Sequence, residues 1–424
     1  MAPVTQTRRF ALTVATLTSV GVAARVLYVV GFARHHAPLG LDATAYYLLA
    51  GPLLRGHGYS DGIVAFSGHY VPTANFPPLY PLFLAAVQRV GLRTVLDARV
   101  VSSVVGAATV PLVALIGRRL AGARVGVVAC ALAAVWPFLL ASDGSLMAES
   151  IAVPLVTVAV LAALWAADAG SWRRWIVVGA LFGLAALARA EAPILMVAVV
   201  GVALLACSRV SGRARFGAAA AALAGFLVLT APWVGYVSYE FGVRGLWATD
   251  GAKTLAGANC PSTYYGSSIG LWDVRCVTEA DWPKRSEATA LQMNRGNARA
   301  FARAHVSRVP LVAAVRVVRA AGLYAPAQQR DFESIESRNA GWQLFSWWCY
   351  VAMLPFAACG LVVLVRRGRD GWVVVGALAA IAVTAAVTYG NQRWRMAVEP
   401  LLLVAAAAGI EALRSRVAPR IHRR

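Results

Sequence analysis

Apolar runs of roughly 20 residues recur along this whole chain, and that is the length needed to cross a hydrocarbon core about 30 Å thick. They fall near 10–32, 98–117, 125–143, 149–167 and 175–189, then near 191–207, 216–237, 343–365, 371–389 and 397–413. The fold expected is an all-α polytopic membrane protein with about ten transmembrane helices. Of its 424 residues, 59% are hydrophobic and 14% charged. A water-soluble enzyme of this length would then carry large exposed apolar patches, so that class is excluded.

The net charge of +21 comes almost wholly from arginine, since Lys253 and Lys284 are the only lysines. Such an excess would suit a nucleic-acid partner, so the positions decide. Arg8 and Arg9; Arg118, Arg119 and Arg124; Arg173 and Arg174; Arg209, Arg213 and Arg215; Arg366, Arg367 and Arg369; and Arg414, Arg416, Arg420, Arg423 and Arg424 occupy every second break between runs. Short arginine-rich loops stay in the cytosol. Both termini therefore read as cytoplasmic in a multi-pass plasma-membrane protein, and no nucleic-acid partner is needed. The alternate breaks face outward: 33–97, about 144–149, the region around Arg189, 238–342 and 390–396.

Parity also keeps the run from Pro77 to Gly91 from being a span, because counting it would move the Arg118 loop outside. It reads as an interfacial or re-entrant helix on the outer face. Residues 301–324, with Arg303, Arg308, Arg316 and Arg319 among apolar neighbours, read as a second interfacial helix. The apolar run from Phe10 is longer than a signal-peptide core and is kept as the first span. Arginine in place of lysine, with heavy Ala, Val and Gly usage, suggests a high-GC bacterial genome. Three regions follow: 1–237, a transmembrane catalytic module including outer loop 33–97; 238–342, a long extracytoplasmic loop; and 343–424, the last helices and a basic cytoplasmic tail.

Cys130, Cys207, Cys349 and Cys359 lie in or beside spans and read as small apolar packing. Cys260 and Cys276 fall in the long outward loop, an oxidising compartment, and are expected to form a disulfide.

Ten spans suit a transporter, channel, scaffold or enzyme alike, so function must come from polar residues where apolar ones would cost less. A charge near the bilayer centre costs at least about 2.5–3.5 kcal/mol on insertion scales. Asp42 follows the first span, with Tyr46 one helical turn on and Tyr47 beside it; Asp42 is either a helix N-cap or a site residue. Asn75-Phe76-Pro77-Pro78-Leu79-Tyr80-Pro81, then Asp143 and Glu149, then Arg189 and Glu191, then Arg393, Arg395 and Glu399 all map to the same outer side. Arg189 alternatively ends a helix and pairs with Glu191 or lipid headgroups, and Arg393 and Arg395 alternatively anchor headgroups. Asn259, Tyr264, Tyr265, Trp272 and Trp282 suit sugar contacts or local packing equally. His57 and His69 lack the carboxylate spacing of a metal site.

In order and in common side, these motifs resemble the GT-C superfamily of polyprenyl-phosphate-dependent glycosyltransferases, relatives of protein O-mannosyltransferases and aminoarabinose lipid A transferases. The resemblance rests on Asp42 with Tyr46 and Tyr47, the Pro-Pro-Leu-Tyr-Pro stretch, Glu149, the turn around Arg189, Ala231-Pro232-Trp233 and the element from Arg393 to Pro400. It implies transfer of a sugar, such as mannose, arabinose or galactose, from a polyprenyl phosphate to a glycan, lipid or protein acceptor on the outer side. Asp42 would be the general base and Glu149 a second catalytic carboxylate. Tyr46, Tyr47 and Tyr80 would bind substrate, and Arg189, Arg393 and Arg395 would hold the phosphate. Some distant relatives use paired acids and a divalent ion; Asp42 has no acidic neighbour in sequence, so no cofactor or metal is expected. The competing reading is a transporter or lipid-handling protein. A transporter would concentrate polar residues near mid-membrane, whereas here they gather at one face.

Overall fold

The structure, a computed structural model, describes residues 2–37, 39–168, 171–207, 212–243 and 248–421. Arg209, Arg423 and Arg424 fall outside them, as do the side chains of Cys207, Arg416 and Arg420.

Among the described residues the chain is helical, with no strand, and every apolar run expected to cross lies in helix. Five helices are long and apolar enough to span a membrane: Gln6–His36, Val95–Ala121, Glu149–Asp168, Gly212–Phe241 and Ala340–Arg367. The pair Ala123–Val135 and Pro137–Asp143 is bent by 52° and would make a sixth as one span. Pro137 explains the bend: a proline pushes the residue before it out of helical geometry, and Trp136 is extended at φ −67°, ψ 117°. Trp172–Ala188, Ala192–Val202, Gly371–Val387 and Glu399–Ile421 hold the other expected runs. This is the build of a polytopic membrane protein.

Small residues let these helices approach closely, as packing in lipid requires. A Cβ on Gly360 would lie 1.7 Å from Ala405 O, and one on Gly409 2.0 Å from Phe356 O, so Ala340–Arg367 and Glu399–Ile421 touch backbone to backbone. Charges inside the bundle are matched. Arg25 Nε donates to Asp143 Oδ2 at 2.7 Å, both side chains buried, and its Nη1 donates to Gly21 O and Ala134 O. Arg99 donates to Ala33 O at 2.9 Å and Ala37 O at 2.5 Å, carbonyls at the end of the first helical segment. At the other end of the bundle, Asp168 and Asp370 both pair with Arg119, tying three helices.

The run from Pro77 forms the 11-residue helix Leu79–Arg89, about 17 Å long and too short to cross. It packs on helix Leu41–Leu54 through Tyr46, Phe76 and Tyr80. The second interfacial helix differs from expectation. A turn at Val306–Arg308 breaks it into Glu287–Ala304 and Val309–Ala320. Two of its arginines are buried: Arg316 donates to Ala258 O and Ala386 O, and Arg319 to Ile269 O and Ser267 O. Buried carbonyls of irregular loops need donors, and these arginines supply them. The same region pairs Cys260 with Cys276, Cα atoms 6.3 Å apart. Glu287 accepts from Thr73 Oγ1, Ala74 N and Thr249 Oγ1, holding the long loop against residues 73–74.

Candidate active site

Helix Leu41–Leu54 starts at Gly40, where a Cβ would sit 2.2 Å from Ile335 O. Glycine at this place lets the 335–337 backbone lie over the helix start, and Gly40 N donates to Ser337 Oγ at 2.5 Å. Asp42 is in the first turn but makes no capping hydrogen bond. Its Oδ2 instead lies 3.2 Å from Arg393 Nη1, and its side chain keeps 31% of its surface exposed.

Arg393 is carried by the short helix Gln392–Met396, which Asn391 opens by accepting from Arg393 N. Its Nε donates to Glu149 Oε1 at 3.0 Å, and its Nη1 is 3.8 Å from Glu336 Oε1. Glu149 is the first residue of Glu149–Asp168, with a side chain 1% exposed. Arg189 Nη1 reaches the same Oε1 at 2.7 Å and Arg338 Nη2 at 3.5 Å. Arg189, where helix Trp172–Ala188 ends, also pairs with Glu191 and lies 5.6 Å from the Trp394 ring centroid. Arg338 also pairs with Glu333. Five carboxylates, Asp42, Glu149, Glu191, Glu333 and Glu336, thus share three guanidinium groups.

Burial pushes the Glu336 carboxyl up to about 7, and the nearby Asp42 charge adds to the effect. Asp250 is pushed up to about 6, first by burial and then by Asp42. Burial works against the Arg393 cation, but Glu149, Glu336 and Asp42 outweigh it and hold the group well above its ordinary value. At the edge of this network Glu336 holds its proton more readily, while the central Arg393 keeps its charge.

The segments that charge parity assigns to one side therefore meet. Asp42, Glu149, Arg189 and Arg393 form one cluster, and buried Tyr46 lies a turn from Asp42, against Phe76 and Tyr80. Arg395 does not join it. Two residues apart on a helix, side chains point to opposite sides, and Arg395 pairs with Glu399 at 2.7 Å over the Tyr350 ring. Tyr80 is fully buried with its hydroxyl 3.1 Å from Ser102 Oγ, and Tyr47 donates to Arg93 O, so neither hydroxyl faces the cluster. Tyr264 and Trp272 also bond within the loop, to Asn259 Oδ1 and Lys253 O. His57 stacks on Tyr70, and His69 lies beside Trp282. Among the described residues no group of three or more His, Cys, Asp or Glu side chains gathers to hold a metal ion.

Sequence reasoning missed Arg338, Glu333 and Glu336. Their signal is the cluster of charges in Glu333-Ser334-Ile335-Glu336-Ser337-Arg338 just before the span at Ala340, inside the long outward loop 238–342.

Residues 75–241 match the family model described as dolichyl-phosphate-mannose-protein mannosyltransferase. The archaeal oligosaccharyltransferase AglB from Archaeoglobus fulgidus, solved with an inhibitory peptide and a dolichol-phosphate, superposes with a TM-score of 0.57 at 12% identity, over 98% of this chain and 52% of that one. The chain shares the fold of this archaeal enzyme's corresponding half. The apo form of the same archaeal enzyme agrees, with a TM-score of 0.57 at 13% identity over 96% of this chain and 51% of that one. ArnT from Cupriavidus metallidurans bound to undecaprenyl phosphate matches at a TM-score of 0.46 and 15% identity, over 99% of this chain and 81% of that one. No protein of curated function matches in sequence. The chain spans about half the length of the archaeal enzyme. The family match covers Glu149 and Arg189 but stops short of Asp42, Arg338 and Arg393, so the cluster is completed by segments on both sides of it.

Proposed function

We propose that this protein transfers a sugar from a polyprenyl-phosphate donor to an acceptor hydroxyl at the extracytoplasmic face of a bacterial plasma membrane, both termini lying in the cytosol. One observation carries the reading. Asp42 keeps 31% of its side-chain surface open, whereas Glu149, Glu191, Glu333 and Glu336 keep between 1% and 12%. A general base must reach its substrate, and of these five acids Asp42 is the one placed to do so.

The acceptor oxygen attacks the anomeric carbon and its proton passes to Asp42. The bond from that carbon to the phosphate oxygen breaks, and the phosphate leaves with the electron pair. Arg393 and Arg189 stabilise it, since guanidinium donors match phosphate oxygens in pairs. Glu149, expected as a second catalytic acid, is enclosed by three guanidinium groups and serves as a positioning residue that aims Arg189 and Arg393. Arg395 is left out of the clamp. Tyr46 shapes the floor beside Asp42. The reaction is metal-independent in this scheme, because the acids that would ligate an ion already partner arginines.

The test is incubation of purified protein with polyprenyl-phosphate sugars, including mannose and arabinose donors, and measurement of the polyprenyl phosphate released. Asp42→Asn should lower turnover by about 10²–10⁴-fold. Full turnover in that variant removes Asp42 as base; transport of the lipid without sugar release replaces the transferase reading with the lipid-handling one.

A further inference from the structure

At the far end of helix Leu41–Leu54 from Asp42 lies a hollow of about 330 Å³ lined by Gly51, Leu54, Arg55, Gln88, Arg89 and Arg93. Arg55 is thirteen residues along the helix from Asp42, about 20 Å at 1.5 Å per residue. The hollow is therefore separate from the carboxylate–arginine cluster.

Three guanidinium groups converge here, and among the described residues none is within ion-pair distance of a carboxylate. The acid nearest in sequence, Asp97, accepts from Thr94 N in a capping box. The three side chains are exposed, and what groups them is the hollow they share. Gln88 supplies a second, independent observation. It is only 9% exposed, its amide lines the hollow, and it makes no hydrogen bond to the described residues. With no partner among the described residues, its amide N–H groups are free to donate to an oxyanion bound in the hollow.

The surroundings favour an anion carried on a lipid. Between Arg89 and Arg93 the turn exposes Val90 at 75% and Leu92 at 40%, and Leu82 is also exposed. Cations interleaved with exposed aliphatic side chains are the pattern of a segment at the headgroup boundary, apolar tips in the acyl layer and guanidinium groups among phosphates. We propose that this hollow binds the phosphate of a membrane lipid, with Arg55, Arg89 and Arg93 around the oxygens and Gln88 donating from below. The inference does not depend on the transferase reading.

Native mass spectrometry of the delipidated full chain tests it with three probes: phosphatidylglycerol, diacylglycerol as a phosphate-free lipid, and inorganic phosphate. The expected result is retention of phosphatidylglycerol and not of diacylglycerol, with inorganic phosphate failing to displace the lipid at equal concentration. Arg89→Gln/Arg93→Gln should weaken retention at least about tenfold, as loss of charge-assisted hydrogen bonds implies. Gln88→Glu keeps the side chain's size and places a charge beneath the site; it should weaken retention likewise while leaving the melting temperature unchanged. Equal retention of diacylglycerol, displacement by inorganic phosphate, or wild-type retention in both variants would overturn the proposal.

Discussion

Asp42 lies 3.2 Å from Arg393 Nη1 while Nε of the same guanidinium bonds buried Glu149 at 3.0 Å. One cation thus joins the most open carboxylate of the cluster to its most enclosed one. When Asp42 accepts a proton its attraction for Nη1 falls, while the bond to Glu149 keeps the guanidinium in place. In the proposed transfer the donor released from Asp42 would become free for the departing phosphate as charge develops there, so that base and clamp would act as one unit.

Groups that act as a unit have non-additive effects. Asp42→Asn and Arg393→Gln should each lower kcat/KM at least about a hundredfold, and the double variant should be little worse than the poorer single one. Full multiplication of the two losses in donor-hydrolysis or transfer assays would show that the two side chains work independently.

Glu149→Gln keeps shape and removes charge, leaving Arg189, Arg338 and Arg393 without their shared partner. Breaking a buried ion-pair network in this way costs about 3–5 kcal/mol. The expected outcome is a marked fall in melting temperature in detergent, with weaker donor binding in whatever protein remains folded. An unchanged melting temperature would mean that Glu149 does not anchor the arginines.

Glu336 gives a pH dependence with a definite sign. Its carboxyl is raised from 4.5 to about 7, chiefly by burial, so the unfolded chain releases this proton before the folded one does. Its contribution is fully present below about pH 4.5 and is lost as pH rises through 7, amounting to about 3 kcal/mol at most. Glu336→Gln should therefore melt higher than the parent protein at pH 8 and nearly equally at pH 4.5. A gap that grows toward low pH would reverse the assignment.

Much of the fold was legible because hydrocarbon is an unforgiving solvent. The expected helices lie where runs of about 20 apolar residues lie, and the placement of arginine identified the segments around Asp42, Glu149, Arg189 and Arg393 as neighbours. Helix direction separates two residues that look equivalent in sequence: Arg393 and Arg395 point to opposite sides of a single turn. Glu336 and Arg338 were not legible because their positions depend on the backbone of residues 335–337 lying over Gly40, a contact that no local pattern encodes. The burial of Arg316 and Arg319 was not legible for a similar reason, since the carbonyls they serve come from distant segments.

Arg189 and Arg395 differ in their surroundings, and the proposed phosphate clamp includes only the first. Arg189 touches Glu149 and Glu191 and retains 12% side-chain exposure, whereas Arg395 is 4% exposed, bonded to Glu399 and stacked 3.5 Å from the Tyr350 ring centroid. Arg189→Ala should raise the Kd for a polyprenyl-phosphate donor about tenfold or more, the loss expected for a charge-assisted bidentate contact. Arg395→Ala should leave that Kd unchanged but lower the melting temperature, because Glu399 then keeps only the Trp136 indole donor in a buried site. Titration of a fluorescent polyprenyl phosphate against both variants, paired with their melting curves, decides the matter. Weakened binding in Arg395→Ala with normal stability would return that residue to the clamp.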